Sequence, residues 1–120
     1  MKGALALLAV AALALDACAP AVPPTAVPGG DVARGKAVLA AAHCGACHQI
    51  PGVRDASGQV GPPLGGLGRR TILAGVLPNR PDNLIAWIRT PQSLKPGDAM
   101  PDSQLGVQQA RDAAAYLEAH

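Results

Sequence analysis

The clearest pattern of apolar and polar positions lies at the C-terminal end of the 120-residue chain. Apolar residues recur there at helical spacing, with polar residues between them: Val107, Ala110, Ala114 and Leu117. Residues that recur every three or four positions share one face of an α-helix. The pattern therefore predicts an amphipathic helix over residues 104–119 that buries this face.

Other segments also predict helices, and no segment alternates regularly enough to predict a sheet. Asp31 is a good N-cap for an Ala- and Leu-rich helix over residues 31–44. A second helix is expected over residues 81–90 and a short one over residues 69–75. The predicted fold class is all-α, with one domain of three to four helices and the loops between them.

The N-terminal segment predicts an export signal. Lys2 is followed by an uninterrupted apolar run over residues 3–15. This run has the length of the hydrophobic region of a signal peptide and is short for a membrane span. A buried core helix is the alternative, but the terminal position and the Pro-rich segment that follows disfavour it. We therefore expect residues 1–17 to be a signal peptide.

The junction over residues 15–18, with the sequence LDAC, resembles the lipobox of bacterial lipoproteins. The resemblance implies that Cys18 is lipidated and anchors the mature chain to a membrane, on the periplasmic side of the bacterial cell envelope. Asp16 departs from the pattern, in which a small uncharged residue is usual, so a soluble periplasmic protein stays open. Residues 18–30 are Pro-rich and uncharged, and they predict an extended tether to a domain over residues 31–120.

Aromatic residues are scarce, which changes the expectation for the core. The chain has one Trp, one Tyr and no Phe, although aromatic rings usually supply much of the bulk of a small core. We therefore expect a large bound group to fill part of the interior. The formal charge is only +2 and the chain has no long basic run, so nucleic-acid binding has no support.

The central motif combines two cysteines with a histidine. Cys44 and Cys47 have the spacing Cys-x-x-Cys, and His48 follows directly. Two thiols at this spacing reach both vinyl groups on one edge of a porphyrin, and the next residue brings an imidazole to the iron. The motif predicts one covalently attached haem c, with His48 as an axial iron ligand.

Three other chemistries fit this motif less well. A zinc site requires further Cys or His ligands at suitable spacing. A thioredoxin-like redox pair requires a βαβ context, which the sequence does not predict. A plain disulfide between Cys44 and Cys47 leaves the adjacent His48 unexplained.

A loop near the C-terminus predicts the second axial ligand. Apart from the initiator, Met100 is the only methionine. It lies among turn residues in the segment Lys95–Pro101, where ordinary core packing is not expected. A methionine opposite a histidine is an established ligand pair in electron-carrying haem proteins. Of the competing ligands, His43 is too close to the motif to reach the opposite face of the haem, and His120 is expected to be exposed.

With these motifs in this order, residues 31–120 resemble the class I, or mitochondrial-type, cytochromes c, and in particular the small bacterial members with one haem. The haem motif lies near the start of the domain, and the methionine lies in a Pro- and Gly-rich loop before the last helix. The resemblance implies the cytochrome c fold, with helices and loops wrapped around one covalent haem. Cytochromes c′, which carry the motif near the end of a helical bundle, are excluded.

Further residues match this family. The segment over residues 60–64 resembles its Gly-Pro-x-Leu loop, which implies that the Pro62 carbonyl accepts the N–H of the His48 ring. Arg69 matches an arginine near a haem propionate, and Trp87 matches an aromatic residue that faces the haem. A solvated Arg69 and an ordinary core Trp87 stay open as alternatives.

The resemblance also implies a close crossing of the first and last helices. Gly35 and Tyr116 stand where the family has a glycine on one helix and an aromatic residue on the other. The sequence departs from the family at Val38 or Leu39, which replaces an aromatic residue of the first helix. The middle of the domain is also shorter than in mitochondrial proteins, which implies that one haem edge is more exposed.

These residues and the resemblance together predict a function. With both axial positions filled, the iron has no position for a small-molecule substrate, so we expect a one-electron carrier and not an enzyme. The resemblance implies redox partners such as a respiratory complex or a dehydrogenase and a terminal oxidase. The alternatives are a haem protein with a labile distal ligand, acting as a peroxidase or a gas sensor, and a fixed structural subunit of a larger complex.

Overall fold

The computed structural model describes residues 26–120, so the predicted signal peptide, Cys18 and most of the predicted tether lie outside the described residues. Four α-helices make up most of the regular structure of this part: α1 (Val32–Ala41), α2 (Pro81–Arg89), α3 (Pro91–Leu94) and α4 (Val107–Ala119). Two short strands, β1 (Ile72–Leu73) and β2 (Leu77–Pro78), pair antiparallel. Within the described part, no helix is both long and apolar enough to cross a membrane.

Helix α1 begins where the sequence predicts and ends earlier. Asp31 caps the helix, since its side chain accepts the backbone N–H of Arg34 at 2.7 Å. The helix ends because His43 has a left-handed backbone with φ of 56°, a conformation that cannot continue a right-handed helix. The chain then turns directly into a 3-10 turn over Cys44–Ala46.

Helix α4 packs on both α1 and α2 and forms the centre of the core. Ala110, Ala114 and Leu117 are buried as predicted, whereas Val107 is 45% exposed because it begins the helix, outside its buried stretch. The start is later than predicted because Gln104 has a φ of 61°. The Gln109 side chain accepts the N–H of Gly106 at 3.0 Å, which satisfies a free donor at the helix start.

The predicted crossing of α1 and α4 at Gly35 and Tyr116 is confirmed. A Cβ on Gly35 would lie 2.7 Å from the carbonyl carbon of Asp112 and 2.9 Å from the Cβ of Tyr116. Only a glycine allows the two helix backbones to approach this closely. The Tyr116 hydroxyl then donates to the carbonyl of Pro51 at 2.7 Å, so the same residue also fixes the loop that follows the Cys-x-x-Cys-His turn.

The predicted helix over residues 69–75 is wrong, and a hairpin occupies this place. Leu67–Arg69 form a single 3-10 turn, after which the chain extends into β1. Ala74 and Gly75 have positive φ angles of 51° and 74°, which close a tight turn of the hairpin type. A helix cannot contain two such residues in succession.

Asp112 on α4 joins the start of the domain to its end. Its buried carboxylate accepts the N–H of Asp31 at 2.9 Å, Nε of Arg34 at 2.8 Å and Nε2 of Gln108 at 2.9 Å. The last part of the predicted tether packs against α4, since Val27 is buried and Nε2 of Gln108 donates to the carbonyl of Gly29 at 3.0 Å. The hydrogen bond from Arg34, together with those from Asp31 and Gln108, lowers the pKa of Asp112 from 3.8 to about 2.

This carboxylate is expected to make stability depend on pH. Because its pKa is lower in the folded state, its contribution is complete above pH 3.8 and is lost as the pH falls towards 2. Asp112→Asn should reduce the free energy of unfolding by about 1–2 kcal/mol at pH 6. Denaturant unfolding of the holoprotein at pH 6 and pH 3 should show a smaller difference between wild type and variant at pH 3.

A matched control for this experiment is Asp82→Asn, at an exposed carboxylate in the first turn of α2. It should change the free energy of unfolding by less than about 0.5 kcal/mol. A difference between wild type and Asp112→Asn that stays constant down to pH 3 would contradict the assigned role of Asp112.

Candidate haem site

A cavity of about 520 Å³ lies in the interior and brings the predicted ligands together. Cys44, Cys47, His48 and Met100 all line it, although the motif and the methionine are far apart in the sequence. Most of the remaining wall is apolar and comes from the end of α1, from α2, from the hairpin and from α4, with residues such as Leu39, Ile72, Leu84, Ile88 and Leu117. The helices of the fold therefore surround one apolar space that the side chains do not fill.

The two cysteines reach this cavity from the 3-10 turn after α1. The backbone N–H groups of Cys47 and His48 both donate to the carbonyl of Cys44, at 3.2 and 3.1 Å, so the three residues form one tight turn. Both thiols are free and half-buried. Burial raises the pKa of the Cys44 thiol above its ordinary value.

The His48 ring is held in a single orientation. Its Nδ1 lies 2.7 Å from the carbonyl oxygen of Pro62, and a carbonyl can only accept, so Nδ1 carries the proton. Gly61 lies against the ring, where a Cβ would come within 2.7 Å of Nδ1. In the neutral ring this leaves Nε2 without a proton, as an axial ligand to iron requires.

Met100 reaches the cavity from the loop between α3 and α4. Its side chain is half-buried, and its backbone N–H donates to the carboxylate of Asp98 at 3.0 Å. Asp98 also pairs with Lys95 at 3.1 Å, and both of these side chains line the cavity. The hydrogen bond from Met100 and the one from Lys95 lower the pKa of Asp98.

The neighbouring residues Arg69 and Arg70 have different positions relative to the cavity. Among the described residues, Arg70 lines the cavity and Arg69 does not. The guanidinium of Arg70 donates to the carbonyls of Pro63 and Gly65, the latter at 3.3 Å. Arg69 instead extends towards Gly66, where a Cβ would lie 3.3 Å from its Nη2. The prediction of Arg69 as the residue near a haem propionate has no support in this geometry.

Trp87 and Pro62 stand where the sequence places them, in the cavity wall. Trp87 lies on α2 and is half-buried.

Sequence reasoning missed Gln92, whose side chain binds the backbone of the methionine loop. A glutamine directly after a proline gives no signal of such a contact, because the partners are main-chain groups that every residue carries.

The residues present fit a haem c. Two thiols, an imidazole with a free Nε2 and a thioether are the donor set that such a group requires, and all of them open into one apolar cavity. Arg70 places positive charge at the wall, where a propionate group would be stabilised, whereas the charge of Lys95 is paired with that of Asp98.

Part of the chain is similar in sequence to two known proteins. The chain is 43% identical over 68 residues to cytochrome c oxidase subunit 2 of Alkalihalophilus pseudofirmus, a match that covers 57% of this chain and 19% of that protein. It is 37% identical over 59 residues to cytochrome c oxidase subunit 2 of Bacillus sp. strain PS3, covering 48% of this chain and 17% of that protein. The matches thus cover less than a fifth of the length of these two relatives.

The comparison with protein families covers most of the chain. The sequence model of the family "Cytochrome c" matches residues 32–120, from the first residue of α1 to the C-terminal residue. This span contains every residue that lines the cavity. The family implies haem c as the cofactor and electron transfer as its chemistry. The chain therefore belongs to the cytochrome c family.

Proposed function

We propose that this protein is a one-electron carrier in which haem c is attached to Cys44 and Cys47, with His48 and Met100 as axial ligands. The observation that carries the proposal is the single apolar cavity into which the Cys-x-x-Cys-His turn and Met100 both open, with the His48 ring already oriented by Pro62. When bound, haem c supplies an iron that alternates between the ferrous and ferric states.

The residues of this chain favour electron transfer over substrate chemistry. The Pro62 carbonyl holds the proton of His48 on Nδ1 and thereby keeps Nε2 available to iron in both oxidation states. A methionine on the other axial position leaves no coordination site for a small molecule. We therefore propose a carrier that is not an enzyme and has no small-molecule substrate.

Arg70 is the residue that we propose for the propionate contact, in place of Arg69. Its guanidinium is oriented by two carbonyls of the loop over residues 63–65 and lies in the cavity wall. Lys95 also lies there, but its charge is paired with Asp98. Trp87 supplies apolar wall from α2. Arg70 is exposed, but a guanidinium already oriented by carbonyls can pair with a carboxylate at little further cost in side-chain entropy.

The partners that we propose are respiratory. Both relatives reported above are named as subunits of cytochrome c oxidase. A small carrier with the same type of domain would exchange electrons with a terminal oxidase on one side and with a respiratory complex or a dehydrogenase on the other. The mild net charge of +2 is compatible with transient contacts of this kind.

For location, we propose the periplasmic side of a bacterial envelope, with Cys18 as a lipid anchor. The support is the apolar run over residues 3–15 followed by LDAC and by the Pro-rich segment. Labelling with a radioactive fatty acid should mark the wild type and leave Cys18→Ala unlabelled. Absence of label from both proteins would disprove the lipid anchor and would leave the electron-carrier proposal intact.

The function itself is tested by redox titration of the exported holoprotein and by mixing its ferrous form with bacterial membranes that contain a terminal oxidase. We expect one reversible couple that transfers a single electron, and cyanide-sensitive oxidation of the ferrous protein by the membranes. Rapid turnover of hydrogen peroxide with an electron donor, without oxidation by the membranes, would contradict the proposal and would indicate a peroxidase.

A further inference from the structure

The loop that carries Met100 has little regular structure of its own. It follows the four-residue helix α3 and precedes α4, and Gly97 within it has a positive φ of 84°. A loop of this kind loses considerable conformational entropy when one geometry is fixed. The contacts that hold its backbone therefore decide where the Met100 side chain lies.

One side chain satisfies three main-chain groups of this loop. The Nε2 group of Gln92 donates to the carbonyl of Asp98 and to the carbonyl of Met100, both at 2.7 Å. The Oε1 atom of Gln92 accepts the N–H of Gly97 at 3.1 Å. Both hydrogens of the amide and one of its acceptor positions are thus used on the loop.

Gln92 is itself well fixed. It stands on α3 directly after Pro91, which is fully buried, and its own backbone N–H lies 3.2 Å from the carboxylate of Asp102. Asp102 comes from the far side of the loop, so α3 and the loop are connected in both directions. The half-buried side chain of Gln92 is held between them.

We propose that Gln92 is a positioning residue that keeps Met100 at the iron. The proposal rests on the proposed function, in which Met100 is the second axial ligand. Without the amide, two carbonyls and one N–H of the loop must turn to water, which favours loop conformations that carry the Met100 side chain away from the cavity. The distal position would then be open to external ligands for a larger fraction of the time.

The test uses two variants of the exported holoprotein. Gln92→Leu removes all three hydrogen bonds at similar side-chain length. Gln92→Glu keeps the acceptor for Gly97 but turns a carboxylate oxygen towards two carbonyls. The matched control is Gln108→Leu, because Gln108 also donates from its amide to a backbone carbonyl, that of Gly29 at 3.0 Å, and does not line the cavity.

Three quantities are measured for each protein: the Met–iron charge-transfer band of the ferric form, the rate of CO binding to the ferrous form, and the unfolding midpoint. In both Gln92 variants we expect the band to weaken and CO binding to become about tenfold faster or more, as the loss of several hydrogen bonds allows. Gln108→Leu should lower the unfolding midpoint and leave the band and the CO rate as in wild type.

The outcomes separate this proposal from the proposed function. If wild type lacks the band and binds CO at once, Met100 is not a ligand and the proposed function fails. If wild type shows the band and both Gln92 variants keep it, with an unchanged CO rate, the function stands and the role of Gln92 is disproved. The role of Gln92 is also disproved if Gln108→Leu changes the band and the CO rate as much as the Gln92 variants do. The effect would then reflect a general loss of stability.

Discussion

Gly35→Ala is expected to lower the free energy of unfolding by about 3 kcal/mol or more, one of the two largest effects that the structure predicts. The added methyl group would lie 2.7 Å from the carbonyl carbon of Asp112 and 2.9 Å from the Cβ of Tyr116. The first of these is backbone of α4 and cannot rotate away as a flexible side chain would. The helices must therefore separate, which loosens the contact on which the core is built.

The measurement is thermal or denaturant unfolding of the ferric holoprotein, with the yield of exported holoprotein recorded beside it. Gly106→Ala is the matched control, because a Cβ there meets only Gln109 Oε1, at 3.5 Å, and the residue is exposed. The control should lose less than about 1 kcal/mol. A Gly35→Ala protein as stable as this control would contradict the close crossing of α1 and α4.

Met100→Ala is expected to open the iron to external ligands while the domain remains folded. Met100 lies on a loop and is only half-buried, so its removal takes little apolar surface from the core. The ferric protein should lose the Met–iron charge-transfer band, and the ferrous protein should bind CO at once. Since a methionine ligand raises the potential of the iron, the reduction potential should also fall.

Leu94→Ala is the control for this variant. Leu94 ends α3 close to the same loop and is 39% exposed, and it does not line the cavity. This variant should keep the Met–iron charge-transfer band and the reduction potential of wild type, and its ferrous form should not bind CO. A Met100→Ala protein that behaves like Leu94→Ala would show that another group occupies the distal position.

The parts of the site that the sequence predicts well are those set by local spacing. Cys44, Cys47 and His48 must share one turn, because the whole motif is only five residues long. Met100 stands out because it is the only methionine after the initiator. The cavity that joins them follows from the family resemblance, since spacing alone does not bring residues 48 and 100 together.

The parts that sequence reasoning missed depend on backbone angles and on side-chain direction. The hairpin over residues 72–78 forms because Ala74 adopts a positive φ. An alanine in the sequence does not predict this conformation. Arg69 and Arg70 are neighbours in sequence, and the 3-10 turn sends only the second into the cavity. Gln92 acts on main-chain groups, so no partner residue type marks its role.

We propose above that the cavity holds one covalent haem c, with His48 and Met100 as the two ligands of its iron. Absorption spectra of the exported wild-type holoprotein, ferric and ferrous, with and without CO, test it most directly. We expect a Met–iron charge-transfer band in the ferric form and no change of the ferrous spectrum on addition of CO. A ferric form without that band, together with a ferrous form that binds CO immediately, would contradict it.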